Sequence, residues 1–470
     1  MRLLATFFLV LSCNAAVIDG LVVEDETGYP LAWSQVSLIP LAGTKSPALT
    51  VRASNRGTFK MPEVPAGWYV LRTSREGFEA SEVGQMRPGR PGIPFEVTAA
   101  GHNYFQVRMR RMGAITGTVL DRNNVGVPDW PVQVYTGRKP FRRVASGVTD
   151  ERGVFRIGLL AAGVYVVRSA SGTLEDGTGL LPSYYQSGTS FESAQAVRVR
   201  VGQTTPDIII RVLQGRLYEI TGSFSSVVPA HLTFLTDGGR VTIATISPRE
   251  RLAAFGVKDI PPGFTELVAE GADCGTFDRR FLDRDLGGLR ISCGAMSVPS
   301  FEWAGSSAFP ILIRRLDPDL TGPAHSLAGH ERLVPGRYEI MPQTGEGFYV
   351  ESVEKATPRQ GWFALDLSNS PSVRIAVSNH PAAISGKVSG AGSPIPGAMV
   401  YLQRIDIPQL WTQRAGLDGS FQFNGLAPGT YRALSSFDFD PDDPPAMNAA
   451  HIIVLKEADK VSQPLELALP

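Results

Sequence analysis

TDERGVFRIGLLAAGVYVVR (residues 149–168) recurs with variation as NRGTFKMPEVPAGWYVLR (55–72), RLAAFGVKDIPPGFTELV (251–268) and LDGSFQFNGLAPGTYRAL (417–434). Each copy reads as two short strands of alternating apolar and polar residues, joined as a hairpin by a Pro/Ala-Gly turn. Phe155 and Ile157 point to one side, Gly163 breaks the strand, and Tyr165 and Val167 return to that side. Phe precedes the turn glycine by eight residues in every copy: Phe59/Gly67, Phe155/Gly163, Phe255/Gly263 and Phe421/Gly429. A fifth site, LVPGRYEI around Gly336 and Tyr338, keeps only the second half. The glycines before Phe and before Tyr, Gly163 among them, are expected to supply positive-φ turns. The tyrosine suits a buried ring whose hydroxyl still reaches a backbone partner.

The preface to the motif also repeats. An apolar-x-Gly strand and a turn lead into a Pro-led second strand in VIDGLVV to SQVSLI (17–39), AITGTVLDRNNVGVPDWPVQVY (114–135) and AISGKVSGAGSPIPGAMVYLQ (383–403). The proline stands six residues before the strand valine (Pro30/Val36, Pro128/Val134, Pro394/Val400). The first-strand glycine precedes the turn glycine by 47, 46 and 43 residues (Gly20/Gly67, Gly117/Gly163, Gly386/Gly429), and by 41 from Gly222 to Gly263. Such spacings exceed solenoid periods, so each repeat is a domain rather than a stacking unit. The reading is all-β: a tandem array of about five Greek-key β-sandwich modules, at 17–112, 113–214, 215–293, 294–381 and 382–470. Modules 3 and 4 are the divergent ones, and short linkers predict a semi-rigid rod.

Composition agrees. Gly (49) and Pro (35) are raised, charge is 19%, and the 43% apolar residues are enough for real cores. Net charge is zero, which gives no global attraction for nucleic acid or anionic lipid. Local runs such as Arg108, Arg110 and Arg111, and the stretch from Arg138 to Arg143, read as solvated strand faces. MRLLATFFLVLSCNAAV reads as a signal peptide (1–16) with cleavage near Ala15 or Ala16, so export to the periplasm or beyond is expected, without a transmembrane segment in the mature chain. Lipidation of Cys13 is the alternative; Leu11 stands where that processing prefers a small residue. The two remaining cysteines, Cys274 and Cys293, are expected to pair, as a hairpin or across a sandwich.

The I-x-G-x-V strand, Pro-led strand, D-x-x-G-x-F and P-x-G-x-Y in that order resemble the carboxypeptidase regulatory-like domain with its transthyretin-like (prealbumin-like) fold. Modules 1, 2 and 5 match well, module 3 partly and module 4 weakly. The resemblance implies a seven-stranded Greek-key sandwich and an accessory, non-catalytic role. The Lys–Asn isopeptide bond of the related collagen-binding B-type domains is not carried over, because its Lys, Asn and Glu have no counterparts at matching strand positions.

None of the six histidines (His102, His231, His325, His330, His380, His451) has Glu three residues on, so the zinc motif of the associated carboxypeptidases is missing. No serine elbow or phosphate loop follows a strand. Two features invite ligands. FDFDPDDPP places Asp438, Asp440, Asp442 and Asp443 together, carboxylates suited to calcium, although no Gly turn or downstream Glu completes an EF-hand; a solvated acidic loop is the plainer reading. No other cofactor is implied. Trp68, Tyr184, Tyr185 and Trp411 offer aromatic faces for a sugar or a protein partner, against the simpler use of covering module contacts. The expectation is an exported, non-enzymatic protein with a structural or binding role at the bacterial envelope, its partner an envelope protein or glycan. The alternative is a carbohydrate- or peptide-binding accessory subunit of a separately encoded envelope enzyme or transporter.

Overall fold

The computed structural model describes residues 16–470 except 138–140, 187, 189, 237–238, 306–307, 317–323, 328–330, 360, 408, 440–446, 449 and 469–470. The signal peptide and Cys13 therefore lie outside the described residues. The chain forms a tandem array of β-sandwiches. Five separate hydrophobic cores draw on residues 16–109, 115–212, 220–291, 311–377 and 382–465.

Module 1 sets the plan. Its first strand, Ala16–Glu24, lies in the middle of one sheet, antiparallel to Thr58–Val64 and parallel to the closing strand His102–Met109. The Pro-led strand Gln35–Pro40 lies in the second sheet between Leu49–Arg52 and Gly67–Ser74. Modules 2, 3 and 5 repeat this order. Inward residues alternate along each strand, which is how a half-buried strand covers one core.

The repeated motif is not a hairpin. Its Phe strand pairs with the first strand and its Tyr strand with the Pro-led strand, so the turn carries the chain from one sheet to the other. The cause is a break in register four residues before the turn glycine. Glu63, Leu159, Asp259 and Gly425 all take left-handed φ (61°, 57°, 61° and 67°), and the pairing with the first strand slips there. This is a β-bulge, which bends the strand out of its ladder. The expected positive φ at the turn glycine is found at Gly67 (158°), Gly263 (133°), Gly336 (155°) and Gly429 (154°) but not at Gly163, where an added methyl group would first meet the Tyr165 ring at 3.6 Å. The glycine before Phe does need its freedom, with φ 75° at Gly57, 75° at Gly153 and 76° at Gly419.

Beyond the bulge, the tyrosine ties the arch. Its hydroxyl donates to the carbonyl four residues earlier in four modules: Tyr69 to Pro65 (2.9 Å), Tyr165 to Ala161, Tyr338 to Val334 and Tyr431 to Ala427 (2.7 Å each). Module 3 has Thr265 instead, buried and with no partner for its hydroxyl. That module carries the Cys274–Cys293 disulfide. Cys274 precedes Gly275–Leu282 of the second sheet and Cys293 follows Leu286–Ser292 of the first, so the bond joins the sheets across the sandwich. Module 4 departs furthest: its closing strand Ser372–Ser378 takes the middle, parallel to Ser300–Ala304 and antiparallel to Tyr349–Val353.

The expected rod is not what forms. Neighbouring modules meet along the chain, through Glu79 and Ala162, Ser171 and Asp259, Glu266 and Arg337, and Glu346 and Asn424. Module 5 then returns to module 1 through Arg87 and Asp438, closing the cycle of contacts. Polar side chains meet at these module edges, and between modules 3 and 4 Leu235, Val268 and Val334 also form a buried apolar cluster.

Two outcomes follow in calorimetry of the full chain. Leu159 is 65% exposed and strained, so Leu159→Gly is expected to stabilise module 2 by about 1 kcal/mol, whereas Gly163→Ala leaves it nearly unchanged. Thr265→Val removes a buried, unsatisfied hydroxyl and is expected to raise the module 3 transition by about 1–2 kcal/mol. A lowered transition in either stabilising variant would count against the bulge or the orphan hydroxyl.

Candidate binding cleft

Modules 4 and 5 enclose a cleft of about 530 Å³. Trp411 enters it from the strand Gln409–Arg414, and its ring lies 5.9 Å from that of Tyr431. Trp362 enters from Trp362–Asp366 in module 4. Both indoles are half-buried. The Arg314 guanidinium stacks on Trp362 at 4.0 Å and is in turn held by Glu339, which is 1% exposed, at 2.7 Å. Arg359 approaches the same carboxylate at 3.7 Å. Trp362 is thus backed by a cation locked from behind, a rigid mounting that preserves its face. Around the indoles stand Glu346, Glu351, Gln409, Arg404 and Asn424. The Asn424 amide donates to Glu346 across the junction at 3.0 Å. Arg404 is committed to Asp406 (2.8 Å) and the Pro428 carbonyl (3.1 Å). The chemistry available is stacking on two flat apolar faces, with amide and carboxylate groups placed to exchange hydrogen bonds with hydroxyls or amides.

The other sequence candidates fare differently. Trp68 is half-buried, and its backbone N–H donates to the Thr44 hydroxyl. Tyr184 is not an open aromatic face: it is 4% exposed, sealed with Tyr135 and Phe191 around the Arg168 guanidinium. Tyr184 and Phe191 pack over Tyr135 and Val166, on the outer face of the second sheet. Tyr185 is half-buried against the module 2 core. Asp438 is not a free carboxylate either; it is 9% exposed and accepts from Arg87 Nε at 2.6 Å, while Arg87 Nη2 donates to its backbone carbonyl at 2.8 Å. Asp440, Asp442 and Asp443 lie outside the described residues, so the calcium candidate keeps no described ligand that is unpaired. Among the described residues no three of His, Cys, Asp and Glu gather as a metal set, and no helix is long and apolar enough to cross a membrane. Trp362 was missed from sequence because WFALDLS reads simply as a strand; nothing local says that Arg314 will stack behind it.

No family model matches the chain, and no curated protein matches it. Solved structures similar to it include GBS52, the minor pilin of Streptococcus agalactiae, at 13% identity over 43% of this chain and 98% of that one, TM-score 0.28. The shaft pilin SpaA of Lactobacillus rhamnosus GG is similar at 9% identity over 43% and 98%, TM-score 0.24. BcpA, the major pilin subunit of Bacillus cereus, is similar at 9% over 60% and 99%, TM-score 0.18. Overlaps this loose transfer nothing to the present chain.

The buried phenols give the molecule an alkaline limit. Burial pushes Tyr431 up to about 12 and raises Tyr165 and Tyr401 above the ordinary value. A phenol that holds its proton more tightly when folded stabilises the fold fully below about pH 10 and loses that contribution as pH climbs through the folded value. The denaturant midpoint is therefore expected to be flat up to about pH 10 and to fall between about pH 10 and 12, less steeply in Tyr431→Phe. A midpoint that holds level through that window would contradict the burial of these rings.

Proposed function

We propose that this chain is an exported, non-enzymatic binding protein of the bacterial envelope, and that its ligand is an envelope glycan received by the cleft between modules 4 and 5. The observation that carries this reading is the pairing of Trp411 and Trp362 in one cleft, the second indole braced by the Arg314–Glu339 pair. A sugar ring offers a flat C–H face for each indole and hydroxyls for Asn424, Gln409 and the two glutamates. The resemblance of the repeats to the carboxypeptidase regulatory-like domain supports an accessory rather than a catalytic role. The signal-like leader supports export.

The test is a glycan array, including peptidoglycan fragments, with a peptide library as control, probed with the mature chain. Binding to a glycan class is expected, weakened at least about tenfold by Trp411→Ala and by Trp362→Ala, the loss typical of an aromatic anchor. Binding that ignores both substitutions would remove the cleft from the reading. Capture of peptides alone would move it to the peptide-binding alternative. Turnover in a hydrolase screen, abolished by a point substitution, would overturn the non-enzymatic reading.

A further inference from the structure

The contact between modules 1 and 5 differs in kind from the other four. Modules 1 to 2, 2 to 3, 3 to 4 and 4 to 5 follow each other directly along the chain, so their contacts form at the high effective concentration that a short tether provides. Modules 5 and 1 have no such tether, and their contact rests on side chains alone. The module 1 side is the stretch GQMRPGRPGIP (84–94), whose sequence reads as a linker. It is folded as a docking loop. Glu82 organises it by accepting from the Gly92 N–H (2.7 Å), and the Gln85 side chain accepts from the Glu82 N–H (2.9 Å). From that loop Arg87 grips Asp438 twice, through its carboxylate and its carbonyl. In the opposite direction Arg414 of module 5 reaches Glu82 at 3.5 Å. Small apolar pieces also meet there: a methyl group added to Gly397 would lie 2.7 Å from Leu41 and 2.8 Å from Pro94, and Leu417 stands over Gly43.

These two surfaces are different and complementary, and every copy of the chain carries both. A contact of that kind closes within one molecule or runs head to tail between molecules, according to geometry and concentration. We propose that the module 1–module 5 contact is a separable ionic clasp, and that its partner once opened is the same clasp of a second copy: the module 1 loop of one chain takes module 5 of the next. The Arg87–Asp438 pair is the main determinant, because Asp438 is nearly buried and both Arg87 bonds converge on it. This inference is independent of the glycan reading, since it uses neither indole.

Charge exchange between copies tests it. In Arg87→Asp two carboxylates face each other across the clasp; in Asp438→Arg two guanidiniums do. Each variant alone is expected to open, with a larger radius of gyration in small-angle scattering and a monomeric mass in light scattering. Mixed in equal amounts, each supplies the complement of the other at both contacts, and a dimeric mass is expected to appear. The double variant Arg87→Asp/Asp438→Arg is expected to return to a compact monomer. The unsubstituted chain is expected to expand at about 1 M NaCl, where screening reaches contact distance. This arm needs no variant and keeps the proposal open to refutation even where a single substitution spoils folding. Single variants as compact as the parent, or a parent indifferent to salt, would overturn the clasp. A mixture that stays monomeric would overturn the second copy as its partner.

Discussion

In modules 1, 3 and 5 a phenylalanine ring lies on a glycine, in module 2 the same pair face each other across the ladder, and the sandwich is built around that placement. Phe59, Phe155, Phe255 and Phe421 sit directly across the ladder from Gly20, Gly117, Gly222 and Gly386. On its other side each glycine meets the closing strand, where an added Cβ would overlap the carbonyl of Phe105, Ile208, Leu289 or Gln463. In modules 1, 3 and 5 the ring tip would lie 2.8 Å from that same Cβ. The first strand therefore has no side chain at its midpoint because two neighbours occupy the space. The aromatic ring replaces the packing surface that a glycine withholds, as edge glycines in sheets are commonly rescued.

Everything downstream inherits that placement. The Phe strand is fixed to the first sheet, and the Tyr strand has to reach the second, so the chain needs a bend between them. The left-handed bulge residue supplies the bend and the tyrosine hydroxyl supplies the tie. Where one part is lost, another construction stands beside the gap. Module 3 lacks the tyrosine and has the disulfide between its sheets. Module 4 has no first-strand glycine facing a Phe strand among the described residues, and its closing strand occupies the central place.

Two buried carboxylates stand beside module junctions. Glu266 is 2% exposed and takes Arg279 from its own module and Arg337 from the next. Glu339 gathers Arg314 and Arg359 behind the cleft. A buried carboxylate with two guanidiniums adds little stability compared with an apolar filling, but it tolerates few wrong arrangements. That suits a chain whose modules are alike and must still find the right neighbour. The outer faces are treated similarly: Tyr184 packs over Tyr135 and Val166, and Phe439 and Met447 pack over Tyr401 and Leu434.

Strand identity, inward-facing residues, the number of repeats, the buried tyrosines and the cysteine pairing were legible in the sequence, because each depends on neighbours a few positions apart or on a repeated motif. Period-two alternation reports burial, and a Pro/Ala-Gly step reports a change of direction. That step does not say whether the next strand pairs with the last one or crosses to the other sheet, since both produce the same local pattern. The bulge at Leu159, an ordinary leucine by sequence, decides it through a φ value that no residue type announces. Trp411 was visible as an aromatic in a polar strand, while Trp362 gained its meaning only from Arg314 behind it and module 5 in front. Asp438 looked like one of four acidic neighbours and became one half of an ion pair with Arg87, 351 positions away. Contacts between modules leave no periodic trace, because each is made once, by side chains whose local surroundings resemble any solvated loop. The tertiary structure alone decided how the sandwiches meet.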